Sequence, residues 1–298
     1  MRALSFGELL WDIIGNKEYL GGAPFNLTAH LAGMGTEVSI ISALGRDDLG
    51  KDALFDAEDL NVDTEFIQVH DRYPTGTVDV KVDNKGIPSY AINENTAWDN
   101  IDVNDNAILR IKEKSWNVFC FGTLAQRTET NRKSLWKIIE NISFDHIFYD
   151  VNLRQNYFEK EHIEKSLKAS SIVKLNSEEA VFLSQYIFNG TMTEKEFAAR
   201  LSVEYGIEIV CITRGENGSA VFYENEFREI PGIPVKTADT VGAGDSYGAA
   251  FLFAFLSGKS PSEAAAFAGK IASYVASQNG AIPEYSEEII KTIENIKI

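Results

Sequence analysis

Short apolar runs alternate along this chain with segments whose apolar residues recur at helical spacing. Ala3 to Phe6, Val38 to Ala43, Val118 to Phe121, His146 to Val151, Ile172 to Leu175 and Ile207 to Ile212 are predominantly apolar, as expected of strands buried on both faces. Between them, Ala23 to Gly33, Thr130 to Ile142, His162 to Ala169, Ser177 to Ile187 and Glu194 to Tyr205 predict helices, and Ala243 to Leu256 and Ser262 to Ser277 predict two more that close the chain. This alternation predicts an α/β fold around a mainly parallel sheet.

From about Thr64 to Trp98 the rhythm changes to alternating polar and apolar residues, in Thr75 to Val82 and again in Ser89 to Ile92, with a turn expected at Asp83-Asn84-Lys85-Gly86. That pattern predicts a hairpin with one solvated face, which does not fit the parallel layer. One reading is an antiparallel edge of the main sheet. The other is a small separate β-sheet, inserted from about 10–20 and 64–98 of a single domain spanning 1–298.

With 298 residues, 44% of them hydrophobic, the chain can bury a large core. A formal charge of −16 leaves no basic stripe for nucleic acid or an acidic membrane surface, so the expected partner is a small molecule. Cys120 and Cys211 both lie in apolar runs and read as reduced core residues. No signal peptide is visible at Met1 to Ser5 and no apolar run reaches the roughly 18 residues of a membrane span. A cytoplasmic location is expected.

The chemistry concentrates in Asp239-Thr240-Val241-Gly242-Ala243-Gly244-Asp245-Ser246, just before the apolar helix that starts near Tyr247. Small residues at a helix start let the unpaired N–H groups of the first turn approach an anion, which the helix dipole also favours. Asp245, in that first turn, stands where a carboxylate can take a proton from an attacking hydroxyl. A tight helix start with Asp245 as an N-terminal cap is the structural alternative. Gly258-Lys259-Ser260 lacks the earlier glycine of a Walker A loop, with Phe253 in its place, and reads as a helix end.

The whole string D-T-V-G-A-G-D-S resembles the C-terminal signature of the ribokinase-like carbohydrate kinases. The resemblance implies a three-layer α/β/α fold with a β lid, catalytic roles for Asp245 as base, for the Gly242, Ala243 and Gly244 amides as anion hole, and dependence on ATP and Mg²⁺. It also implies a K⁺ site at Asp239 and the Val241 carbonyl. Further segments resemble the family's motifs in their usual order. Leu20-Gly21-Gly22-Ala23-Pro24-Phe25-Asn26 is similar to the substrate signature and implies sugar contacts from Gly22 and Asn26, with Asp12 after the first strand as a hydroxyl acceptor. Asp150-Val151-Asn152-Leu153-Arg154 resembles D-x-N-x-R and implies that Arg154 faces the transferring phosphate. Asn176-Ser177-Glu178-Glu179 resembles N-x-x-E, implying Asn176 near the nucleotide and Glu179 near magnesium through water, although Asn-Ser-Glu-Glu also caps helices. Thr213-Arg214-Gly215-Glu216-Asn217-Gly218 is similar to the nucleotide-holding turn, implying Thr213, Gly215 and Gly218, while Arg214 stands where relatives are often apolar.

Within the family, Gly86 to Tyr90, Ala97-Trp98-Asp99 and Phe121 to Arg127 look most like bacterial fructokinases, which adds Gln126 as a sugar contact. D-fructose is therefore the expected substrate, with ribose and 2-keto-3-deoxygluconate as alternatives. A phosphorylated sugar is less expected, since Lys17 is the only cation between Asp12 and Asn26. A dinucleotide-dependent oxidoreductase would need G-x-G-x-x-G after an early strand, and Gly7 to Asp12 lacks it. A non-catalytic sugar sensor could dispense with Asp245 and the anion hole. A homodimer through the lid is a further implication of the resemblance.

Overall fold

The computed structural model describes residues 1–15, 17–82 and 88–296. In chain order its elements are β1 (Arg2–Phe6), β2 (Leu10–Ile14), β3 (Lys17–Gly21), α1 (Ala23–Gly33), β4 (Glu37–Gly45), α2 (Asp48–Asp59), β5 (Ile67–His70), β6 (Gly76–Val82), β7 (Pro88–Ile92), α3 (Asp105–Lys112), β8 (Trp116–Gly122), α4 (Glu129–Asn141), β9 (Phe144–Asp150), α5 (Lys160–Ala169), β10 (Ile172–Asn176), α6 (Ser177–Phe188), α7 (Glu194–Tyr205), β11 (Ile209–Thr213), β12 (Ser219–Tyr223), β13 (Glu226–Ile230), α8 (Ala243–Leu256), α9 (Pro261–Ala276) and α10 (Glu287–Glu294).

The large sheet runs β13-β12-β11-β10-β9-β8-β1-β4-β5 and is parallel from β11 through β5, with β12 and β13 added antiparallel at one edge. Successive residues of its central strands belong to opposite cores. In β8, Val118 and Cys120 join the core shared with α1, α8 and α9, whereas Phe119 and Phe121 join the one shared with α4 to α7. This period-2 division of unbroken apolar runs is what a sheet covered on both faces requires. The chain leaves β1 through α1 toward β4 and later returns to β8 on β1's other side, so a topological switch point lies between β1 and β8. Open α/β sheets bind ligands outside the carboxyl ends of their strands near such a point.

A second, four-stranded sheet runs β3-β2-β6-β7. The pair β6 and β7 is antiparallel, as the alternation predicts, but β2 lies parallel to β6. The expected turn at 83–86 lies outside the described residues. β5 falls inside the 64–98 stretch read as part of the small sheet, yet it pairs parallel to β4 at the edge of the large one. Elements missing from the sequence reading include α2, α3, α10, β12 and β13. Of α2 only Gly50, Ala53 and Ala57 are buried, and its one large aromatic, Phe55, is 70% exposed. Among the described residues no helix is long and apolar enough to cross a membrane.

Candidate active site

A cavity of about 660 Å³ opens at the carboxyl ends of the large sheet and is roofed by the small one. Leu10, Asp12, Val78 and Ile92 come from the small sheet, and Asp150, Lys174, Asn176 and Thr213 from strand ends of the large sheet. Gly22, Ala23 and Asn26 open α1, while Gly242, Gly244 and Asp245 open α8. Residues separated by most of the chain thus meet where the switch point predicts.

Asp245 is the centre of the arrangement. Its Oδ2 accepts a 2.8 Å hydrogen bond from Asn26 Nδ2, so the two helix starts are joined directly inside the cavity. Burial first, then the nearby Asp150 charge, hold its carboxyl above the usual aspartate range, opposed by Lys174, Asn26 and Arg154. A carboxylate so placed is a stronger proton acceptor than a solvated one. Gly242, the N-cap of α8, has φ 77, and a side chain there would strike the Ala281 carbonyl oxygen at 2.5 Å, so both backbone and packing demand glycine. Gly244 is different. Its backbone is not left-handed, and an added Cβ would meet only Lys174 Nζ, at 3.5 Å, so the missing side chain leaves room in the cavity itself.

Lys174 was overlooked in reading the sequence, although it stands two residues before Asn176. Its ammonium bonds both Asp150 oxygens at 2.8 and 2.9 Å, and both residues line the cavity. Burial pulls the Lys174 pKa down, but the Asp150 carboxylate more than reverses this, and the lysine stays cationic. Arg154 follows β9 and also faces the cavity, where its charge acts on Glu8, Asp12 and Asp245. The loop that carries it is strained: Asn152 has φ 35 and Gln155 φ 51, and both line the cavity. Asn176 and Glu179 form a full capping box, and the Glu179 oxygens accept the N–H groups of Leu153 and Asn176, each at 2.8 Å. The capping and cavity-lining readings of this motif hold together.

At the other end, Asp12 projects from β2, the strand of the small sheet that follows β1. Burial raises its carboxyl to about 6, Arg154 opposes and Asp245 adds to the shift, so it is largely ionised at neutral pH. Gly22 caps α1 with φ 108, and a Cβ there would lie 2.3 Å from the Glu8 carbonyl oxygen. Glu8, also overlooked, lines the cavity between these residues.

Several expected residues do not reach the cavity. Gln126 is 3% exposed and turns away, its amide bonded to the Gly122 carbonyl oxygen at 3.0 Å and to Ser166 at 3.1 Å. It lies in the short 3₁₀ turn Leu124–Arg127, and from that turn Leu124 is the cavity residue instead. Trp98 is fully buried beneath Gly76, outside the cavity wall. The Ala243 N–H donates to the Thr240 carbonyl at 3.3 Å, closing the turn rather than facing the cavity. Gly215 and Gly218 lie beyond the wall that Thr213 forms. A Cβ on Gly218 would meet the Ile230 carbonyl at 2.1 Å, which makes that glycine a requirement of the β12–β13 junction. Arg214 is tied to Glu194 at 2.6 Å and Glu229 at 2.7 Å. Asp239 accepts the Val241 N–H at 3.0 Å and the Gly280 N–H at 3.4 Å, joining two backbone segments behind the α8 start.

Compared with known families, residues 4–288 match the model of the pfkB family of carbohydrate kinases. The chain belongs to the pfkB family. It is an ATP-dependent sugar kinase on the ribokinase-like fold. A sugar kinase of Pyrococcus horikoshii, itself uncharacterized, is 30% identical over 271 residues, 85% of this chain and 82% of that protein. Its crystal structure in complex with ATP superposes with a TM-score of 0.82 over 99% of both chains, at 25% identity. A fructokinase of Salmonella typhimurium is 25% identical over 253 residues, covering 82% of this chain and 79% of that enzyme.

Proposed function

We propose that this pfkB kinase transfers the γ-phosphoryl group of ATP to a hydroxyl of a free sugar, with D-fructose the preferred acceptor. Asp245 takes the proton of that hydroxyl, its oxygen attacks the γ-phosphorus in line, and the bond to the β,γ-bridging oxygen breaks to release ADP. Lys174, Arg154 and the backbone at Gly242 and Gly244 stabilise the charge that gathers on the transferring group. Asn26 holds Asp245 in position through its amide. Sugar hydroxyls pair with Asp12 and with the polar groups around Gly22, while Thr213 and Asn176 border the nucleotide.

Magnesium, when bound, neutralises phosphate charge. Among the described residues no cluster of three or more His, Cys, Asp or Glu forms a protein cage for it. Glu179 is the residue that would hold such an ion, through water. Asp239 and the Val241 carbonyl are the residues proposed to hold a potassium ion, which would stiffen the loop behind the α8 start and add favourable potential for phosphate.

The observation that carries the reading is the meeting of Asp245, Asn26, Lys174 and Asp150 in one cavity with the acceptor Asp12. The fructose preference rests on fructokinase relatives at low identity and on Asp12, which would repel the carboxylate of an acid sugar unless a cation received it, and Arg154 is the cavity cation assigned here to the phosphate. Arg127, the nearest alternative to Arg154 for receiving a carboxylate, is bonded to Asp99 at 2.6 and 2.8 Å. A coupled ADP-release assay over D-fructose, D-ribose, D-glucose and 2-keto-3-deoxygluconate tests it. The highest kcat/KM is expected for fructose, and preference for the acid sugar overturns that assignment while leaving the kinase chemistry in place.

A further inference from the structure

Glu8 has no task in the phosphoryl transfer. It follows β1 at the switch point and is 3% exposed, yet its side chain borders the main cavity. The same residue walls a second, smaller pocket behind it that is lined by Leu27, Phe121 and Phe148. Its Oε2 has no hydrogen-bond partner among the described residues, and neither has Oδ1 of Asn26, a cavity residue 5% exposed. Leaving a buried polar atom unmatched is costly, and an apolar side chain at position 8 would avoid that cost. Gly22 makes the placement feasible: an added Cβ would lie 3.3 Å from Glu8 Cγ, so the bare backbone of the α1 cap lets the Glu8 side chain lie alongside it.

The charged groups that act on Glu8 are Asp245, Arg154 and Arg127. None is hydrogen-bonded to its Oε2. Burial pushes the carboxyl up to about 7, Asp245 adds to the shift, and the two arginines oppose it. In either protonation state this group bonds well to a hydroxyl, which both donates and accepts. An anionic substituent beside it would meet either a like charge or a desolvated dipole.

We propose that Glu8 is a sugar-binding and specificity-determining residue, which with Asn26 Oδ1 forms an acceptor pair for hydroxyls of a neutral polyol. The inference rests on the sugar kinase reading and deepens it, naming the group that selects the acceptor. The test compares wild type, Glu8→Leu and Glu8→Gln with D-fructose, D-ribose, D-glucose and 2-keto-3-deoxygluconate, then with monodeoxy analogues of the best substrate. Glu8→Leu is expected to raise the KM for sugar by about tenfold or more while the KM for ATP stays within about twofold. In wild type, one monodeoxy analogue should lose about tenfold in kcat/KM, and that penalty should vanish in Glu8→Leu, as a direct contact requires. The isosteric Glu8→Gln keeps the test open if the leucine variant does not fold, because it must change the penalty for that one analogue and leave the others alone. An unchanged sugar KM, or the same penalties in wild type and variant, overturns the Glu8 role alone. Turnover of none of the four sugars by wild type overturns the sugar kinase reading as well.

Discussion

Among the described residues two ion pairs are deeply buried, one in the wall of the cavity and one at the root of the small sheet. Lys174 and Asp150 have side chains 8% and 10% exposed, Arg127 and Asp99 4% and 3%. Their surroundings differ. Arg127 is stacked between the rings of Trp98, 4.1 Å from its centroid, and Tyr157, at 4.8 Å, and also donates to the carbonyl of Asn93 just after β7. Asp99 accepts in addition from the backbone of Thr96, so that pair is a joint between the small sheet and the main body. Lys174 and Asp150 instead face an open cavity alongside Asp245 and Gly244. Burial of a charge pair is therefore a poor marker of chemistry on its own, since a buried pair contributes little net stability and serves whatever its neighbours allow.

The comparison can be broken first at the joint. Arg127→Met leaves Asp99 buried and uncompensated and is expected to lower folding stability by about 3–5 kcal/mol. Urea unfolding would measure this, while kcat of the folded fraction should fall less than tenfold. Lys174→Met should show the opposite balance: a kcat loss on the order of 10²–10³, as when a transition-state donor is removed, with less destabilisation than at Arg127 because Asp150 borders the open cavity. Equal effects of the two variants on kcat would erase the distinction.

Gly244→Val sharpens the cavity side further. Because the backbone there is not left-handed, the variant should fold with nearly wild-type stability, yet its side chain points toward Lys174 and crowds the phosphate. A tenfold or greater loss of kcat/KM for ATP is expected in steady-state assays, and unimpaired kinetics would make the glycine structural only. The smallest effect expected is ionic. Replacing potassium by a bulky organic cation at equal ionic strength should slow turnover a few-fold if a cation stiffens the loop at Asp239 and Val241, and equal rates would remove that site.

These contrasts also explain how much of the molecule was legible in the chain. The central strands and most helices could be read because each is an unbroken apolar run or a strongly periodic segment, and Ala23–Gly33 and Ala243–Leu256 agree to the residue. Strand β13 is mostly exposed and leaves no period, whereas β12, buried from Ser219 to Phe222, and the amphipathic helices α2 and α3 carry a pattern that was not read. Local motifs carried Asp245, Asn26, Asn176 and Thr213 to the cavity, since a helix start or strand end fixes its own direction. Gln126 went astray because a 3₁₀ turn sends neighbouring side chains to different sides, and Leu124 took the cavity wall. Lys174 and Glu8 were missed for the converse reason: their meaning lies in Asp150, Gly22 and Asn26, which only the fold brings near them.

The central claim, that Asp245 is the base of a sugar kinase, is tested most directly by Asp245→Asn. The amide keeps the shape and can still accept the Asn26 hydrogen bond but cannot take a hydroxyl proton. Calorimetric titration should show ATP and sugar affinities largely intact, while kcat falls by about a hundredfold or more. Since burial and the Asp150 charge raise the Asp245 pKa, wild-type turnover should decline on acidification from a higher pH than an ordinary aspartate would give, and the variant should lack that decline. A folded Asp245→Asn enzyme that binds both substrates and turns over at nearly the wild-type rate would contradict the account.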